Sequence, residues 1–341
     1  MTEVVEVQET SGAVRELSVK DAINEALREE MERDERVFLL GEDIQDPFGG
    51  AFGVTAGLST RFGRKRVVET PISESAIIGT STGAALAGLR PVAEIMVIDW
   101  LGVCLDQLTN HAAKLRFMSG GQVTVPLVVR CESGGHGGFA AQHSQSLENW
   151  VCHIPGLKVV MPSTAADAKG LLIAAIRDEN PVVYIENLVV YWVRGECPEG
   201  EYVVPLGKAA VRREGSDCTV VAWGRMALEA MNAATELADD GIEVEVIDPR
   251  TLAPFDLDTV LASVRKTGRL VVAHEAVGRG GYGGEIAALV QERAWDVLKS
   301  PVRRVTAMNT PVPYAKPLER HMLPQQEDVV QAVKAMLENE S

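Results

Sequence analysis

Two glutamates and a histidine have the types and the placement that proton transfer needs. Glu42 follows an apolar strand pattern in LLGEDI, Glu74 lies in ETPISESA where a strand gives way to a helix, and His143 sits in the Gly-rich run GGFAAQHSQS. Acids and an imidazole at the carboxyl ends of parallel strands are what a buried acid–base site draws on, since burial brings a carboxyl pKa up toward neutrality. Each also has a plainer explanation. An acid at a helix start complements the helix dipole, and a lone histidine in a Gly-rich loop more often orders the loop than reacts.

Other motifs point less far. Gly278, Gly280 and Gly283 form a G-x-G-x-x-G that follows a strand pattern and opens a helix, the layout with which a backbone reaches a pyrophosphate. That fingerprint requires an acid at the end of the next strand for the ribose, whereas here the next strand, VRRVTAMN, ends in Met308 and Asn309. A Gly-rich turn or subunit contact is the favoured reading, and a dinucleotide-binding oxidoreductase built on 278–283 is the rival. Cys131, His136, His143, Cys152 and His153 lack C-x2-C or H-x3-H spacing, so no zinc site is expected. Neither a G-x-S-x-G elbow nor a Walker A motif is present.

The elements that must position these residues alternate along the chain. A helix over 19–34 puts Ala22, Ile23, Ala26, Leu27 and Met31 on one face, with Ser18 as its N-cap. Strand patterns at 37–40, 66–68, 91–98, 126–130, 158–161 and 181–185 are separated by helical patterns at 73–87, 100–118 and 167–177. The stretch 191–217 is irregular and rich in Gly, Pro and charge. Beyond it, strands at 219–222, 243–247, 270–273 and 304–306 alternate with helices at 227–237, 257–264, 285–298 and 328–337. Strands separated by helices make βαβ units. The expected fold class is therefore α/β, with two doubly wound, mostly parallel-sheet domains over 14–190 and 218–341 and a crossover linker over 191–217.

A chain of 341 residues suffices for two cores. With 33 Lys and Arg against 48 Asp and Glu the net charge is −15, which argues against nucleic acid or an anionic membrane as partner and suits a basic protein. Five cysteines without a C-x-x-C pair favour a reducing compartment. No apolar run reaches the roughly twenty residues of a membrane span, and the acidic, polar stretch 1–18 has neither signal-peptide nor transit-sequence character. A soluble, cytoplasmic protein is expected.

The same segments carry a family resemblance. LLGEDI, ETPISES, GLRPVAEIM, DQLTNHAAKLRFMSGG, AAQHSQS, IPGLKVVMPST and GLLIAAIRDENPVV occur in that order and spacing within 17–337. Together they resemble the beta subunit of the thiamin-diphosphate-dependent decarboxylating component of 2-oxo acid dehydrogenase complexes. GVCLDQ with SESA is similar to the acetoin dehydrogenase branch, and VVAHEA to the branched-chain branch. The resemblance implies a transketolase-like fold and a heterotetramer of two alpha and two beta chains, with thiamin diphosphate held between alpha and beta. The alpha chain would grip the diphosphate through Mg2+, using a G-D-G motif and an Asn-Asn pair that this sequence does not contain.

The resemblance also implies roles. Glu74 matches the cofactor-activating glutamate that hydrogen-bonds the aminopyrimidine ring, Glu42 a nearby acid in proton relay, and Trp100 an aromatic side chain against that ring. His143 matches the histidine that assists acyl transfer to lipoamide on an acyltransferase core. Leu127, Ala175, Ile176, Asp178 and Asn180, with Arg177 and Glu179 among them, match a structural potassium site built mainly of backbone oxygens. The implied reaction is C–C cleavage next to a carbonyl, then reductive acylation of a lipoyl group, with NAD used by a separate flavoprotein. Pyruvate, a branched-chain 2-oxo acid and acetoin stay open as substrates, and a non-catalytic scaffold subunit is the remaining alternative.

Overall fold

A computed structural model describes residues 13–338; the reading of the acidic N-terminus lies, before residue 13, outside the described residues. The chain falls into two compact units. Among the described residues the first holds 13–133 and Trp150–Leu206, and the second holds Gly134–Asn149 and 207–338. The segment that carries His143 thus groups with the second unit, although it lies within the span 14–190 of the sequence reading.

In the first unit β1 (Val14–Ser18) leads straight into α1 (Val19–Arg33). The Ser18 hydroxyl accepts from the Asp21 N–H, and Val19, Ala22, Ile23, Ala26, Leu27 and Met31 lie on the buried face of α1. There follow β2 (Val37–Gly41), α2 (Leu58–Phe62), β3 (Val67–Glu69), α3 (Glu74–Leu86), β4 (Arg90–Val97), α4 (Leu101–Asp106), α5 (Leu115–Met118) and β5 (Val128–Ser133). After α6 (Glu148–Cys152), which straddles the boundary, come β6 (Lys158–Val160), α7 (Ala165–Arg177), β7 (Val182–Asn187) and β8 (Arg194–Pro198).

Within this unit the strands lie in the order β6-β7-β5-β4-β2-β3, all parallel. β5 and β7 are buried along their whole length, as strands covered on both faces must be. The winding reverses between β2 and β4: the chain leaves β2 for β3 on one side and returns to β4 on the other. Such a switch point opens a crevice at the strand carboxyl ends. The helix expected over 100–118 is interrupted by a π turn at Gln107–Ala112, a feature frequent near functional sites. α1 packs on α7, where the buried Lys169 ammonium reaches Glu25 at 2.6 Å and Glu29 at 2.9 Å.

The second unit contains β9 (Ala210–Arg213), β10 (Cys218–Ala222), α8 (Arg225–Asp239), β11 (Val244–Asp248), β12 (Thr251–Ala253), α9 (Leu257–Thr267), β13 (Leu270–Val277), α10 (Gly283–Ala294), β14 (Arg303–Ala307), α11 (Lys316–Met322) and α12 (Gln326–Glu338). Its sheet has the order β14-β13-β10-β11-β9, parallel except for the antiparallel edge strand β9. α8 and α12 join over one core through Met226, Ala230, Ala234, Val329 and Val333. The stretch 191–217 is thus more than a linker. It contributes β8, which pairs with β1, and β9, both too short and polar to show in a hydrophobicity pattern. No helix among the described residues is long and apolar enough to cross a membrane.

Candidate active site

Glu42 and Glu74 come together at the switch point of the first sheet. Glu42 leaves the end of β2 and Glu74 opens α3 just beyond β3, each only 8% exposed. Thr70 ties the strand ends, its N–H donating to the Gly41 carbonyl at 2.9 Å. The Glu42 carboxyl accepts from the Ser73 backbone N–H; burial, then the charge of Glu74, raises its pKa. Glu42 Oε1 and the Thr70 hydroxyl are buried without a hydrogen-bond partner among the described residues. Buried polar atoms left unpaired beside two carboxyls fit a ligand with a polar ring edge, which an aminopyrimidine has.

Two neighbours shape this site. The loop after Glu42 is clasped by Asp46, whose carboxylate accepts from the Gly57 N–H at 2.7 Å, Ser59 Oγ at 2.7 Å, the Thr60 N–H at 2.9 Å and Thr60 Oγ1 at 2.6 Å. Those bonds hold its carboxyl well below the usual range. On α4, burial and then the charge of Glu74 push the Cys104 thiol up to about 12. Trp100 stands half-buried in the turn that follows β4, the strand beside β2. It therefore occupies the same edge of the sheet as the acid pair.

His143 is half-buried in the second unit, just after a 3-10 turn at Ala140–Gln142. Three buried carboxyls that sequence reasoning did not single out hold its loop. Glu275 Oε1 accepts from the Gly135 N–H at 2.6 Å, and Glu319 Oε1 from the N–H groups of His136 at 2.9 Å and Gly138 at 3.3 Å. Trp223 Nε1 donates to Glu148 Oε1 at 3.2 Å, and burial raises the Glu148 carboxyl to about 7. Burial, then the charge of Arg225, lowers the His136 imidazole to about 4 and keeps it neutral. The only sequence signal for any of these was Glu275 at the carboxyl end of a strand.

The residues matched to a potassium site lie at the opposite, amino ends of β5 and β7. Their oxygens are engaged. Arg90 Nη1 donates to the carbonyls of Ile176 at 2.8 Å and Asp178 at 3.3 Å, and Arg116 donates to Asn180 Oδ1 at 2.6 Å. The Leu127 carbonyl accepts from the Val182 N–H at 2.9 Å and that of Ala175 from the Asp178 N–H at 3.3 Å. Arginine groups thus reach three of these oxygens, while the Leu127 and Ala175 carbonyls take only backbone N–H groups. Among the described residues no group of three or more His, Cys, Asp or Glu could hold a metal ion.

The glycines at 278–283 have an internal explanation. A Cβ on Gly281 would stand 2.6 Å from His274 Cε1, one on Gly283 2.7 Å from His274 Nε2, and one on Gly278 2.8 Å from Thr306 Oγ1. His274 is fully buried and stacks on Trp223 with ring centroids 5.2 Å apart. These glycines make room for the protein's own side chains, which removes the reason for reading them as a pyrophosphate cradle.

Two buried carboxyls thus meet at the switch point of a parallel sheet, in a chain with a second α/β unit. The transketolase pyrimidine-binding domain matches residues 15–188 and the transketolase C-terminal domain residues 207–329. A solved structure described as a split-gene transketolase, an inactive β4 tetramer, shares the fold with a TM-score of 0.78 at 23% identity, covering 94% of this chain and 98% of that one. The beta subunit of acetoin:2,6-dichlorophenolindophenol oxidoreductase from Bacillus subtilis is 46% identical, over 95% of this chain and 98% of the relative. Beta subunits of the pyruvate dehydrogenase E1 component are 47% identical in Rhizobium meliloti, over 94% of this chain and 70% of the relative, and 44% in Homo sapiens, over 96% and 92%. The chain belongs to this family of thiamin-diphosphate-dependent dehydrogenase beta subunits.

Proposed function

We propose that this chain, assembled with an alpha subunit as two alpha and two beta chains in the cytoplasm, forms part of a thiamin diphosphate site. There a C–C bond next to the carbonyl of a short 2-oxo acid or acetoin is cleaved, and the acyl unit passes to a lipoyl group on an acyltransferase core. The observation that carries this reading is the Glu42–Glu74 pair at the switch point. When bound, thiamin diphosphate supplies the electron sink that such a cleavage demands, its diphosphate held through Mg2+ by the alpha subunit.

Glu74 would hold the aminopyrimidine of thiamin diphosphate by a hydrogen bond to a ring nitrogen. Glu42, whose pKa is raised by burial and then by the charge of Glu74, would stand beside it as a proton relay. Trp100 would lie against the ring and orient it. His143 protonates one sulfur of the lipoyl dithiolane as the S–S bond breaks and the other sulfur takes the acyl unit.

The test is turnover by the assembled alpha–beta enzyme on pyruvate, acetoin and 3-methyl-2-oxobutanoate. One of them should turn over, with an absolute need for both subunits, thiamin diphosphate and Mg2+. Turnover of none, or micromolar Mg2+-dependent cofactor binding by this chain alone, counts against the reading. His143→Ala should keep most activity with an artificial electron acceptor and lose lipoyl-dependent activity by about 10²–10⁴. Equal loss in both assays removes His143 from acyl transfer.

A further inference from the structure

Resting on the assignment of acyl transfer to His143, we infer that Glu319 of α11 is a positioning residue for that histidine. It acts through the backbone of the loop Gly134–Asn149 rather than by touching substrate. The loop holds a backbone it would not keep unaided. His136 and Ala140 are non-glycine residues at φ +71° and +63°, with Gly138 at +71° between them, and such conformations persist only where the surroundings fix them.

One carboxylate oxygen holds the first part of this stretch, at His136 and Gly138. Glu319 Oε1 accepts from both the His136 and the Gly138 N–H, and its residue is only 2% exposed. A buried carboxylate stripped of water depends on such donors, and the buried amides depend equally on it. Gly135 lets the loop come close enough: a Cβ there would lie 2.5 Å from Leu323 Cδ1 and 3.4 Å from Glu319 Oε1. Glu275 holds the neighbouring Gly135 N–H, but its other oxygen takes Arg225 Nε at 3.2 Å, so it serves the core of the unit as well. Glu319 serves the loop. His143 follows Gly138 by five residues, and its own N–H turns back to the Ala140 carbonyl at 3.5 Å. The backbone that carries His143 therefore leaves the segment that Glu319 pins.

The experiment compares Glu319→Ala with Glu319→Gln, which keeps a carbonyl oxygen as acceptor, in the assembled alpha–beta enzyme. Lipoyl-dependent turnover, artificial-acceptor turnover and hydrogen exchange of the amides at 135–143 are measured together. Glu319→Ala should lower the lipoyl-dependent rate about 10- to 100-fold, the scale of a misplaced catalytic group, and the artificial-acceptor rate by less than about threefold. Exchange at His136 and Gly138 should quicken about tenfold or more as the local opening becomes easier, and Glu319→Gln should recover most of both losses. Equal loss in the two assays, or unchanged exchange, overturns the proposal. Should the alanine variant fail to assemble, Glu319→Asp withdraws the acceptor by one methylene, and absence of the same split there overturns it too. His143→Ala run alongside tells the failures apart. No split in His143→Ala fells the acyl-transfer assignment and the positioning with it, whereas a split there without one in Glu319→Ala fells the positioning alone.

Discussion

Both units bury carboxyl groups, but they dispose of the charge in opposite ways. In the first, Glu42 faces Glu74 with one backbone donor and one oxygen unpartnered among the described residues. In the second, Glu275 and Glu319 accept three backbone N–H groups between them, and Glu275 also neutralises the buried guanidinium of Arg225. Glu148 falls between these cases, buried with an indole N–H on one oxygen. The comparison teaches that what an acid is paired with, more than its burial, separates chemistry from scaffolding.

The largest effect should come from the acid with the least structural work. In the assembled enzyme Glu74→Gln is expected to slow cofactor C2–H/D exchange and to lower turnover in both assays by about 10²–10⁴, with folding stability little changed. An active Glu74→Gln enzyme breaks the comparison outright. Glu275→Ala should do the reverse, since the guanidinium of Arg225, only 3% exposed, then keeps only the part-exposed Glu229 as carboxylate partner and the Gly135 N–H loses its acceptor. Leaving buried donors unsatisfied costs about 1–3 kcal/mol, read as a fall in the urea midpoint.

Glu148 sharpens the contrast through pH. Its folded pKa of about 7 lies above the ordinary 4.5, so the folded chain holds a proton that the unfolded chain has lost. The stability this proton contributes is fully present below about pH 4.5 and is lost as pH rises through about 7, a change of about 3 kcal/mol. Urea midpoints at pH 5 and pH 8 should therefore differ, and Glu148→Gln should remove that part of the difference. The smallest effect belongs to Gly283→Ala, whose added Cβ meets the His274 ring and should cost about 1–3 kcal/mol by overpacking. Titration with NAD or NADP should show no saturable binding; binding that is abolished by Gly280→Val would revive the dinucleotide reading.

Periodicity was enough for α1, whose apolar stripe and Ser18 cap are local, and for the strands that run buried through the sheets. It missed β1, β8 and β9, which are short strands whose VRELS, RGECP and AVRR alternate too weakly to stand out. Glu42 and Glu74 were legible because each follows a strand, so one rule about carboxyl ends locates both. Glu319 was not, because its partners His136 and Gly138 lie more than a hundred and eighty residues earlier in the chain and only the tertiary fold brings them to it. The glycines at 278–283 misled for a related reason: spacing records that something approaches the backbone, and says nothing of whether it is a phosphate or His274.

The thiol beside the acid pair has a practical consequence. With a pKa of about 12, only about one Cys104 in 10⁵ is a thiolate at pH 7, and the thiolate is the form that peroxide and alkylating reagents attack. This buried sulfur should therefore react slowly with oxidants. Burial first, and the charge of Glu74 second, keep this thiol protonated, so alkylation of Cys104 in the folded chain should be slow at neutral pH.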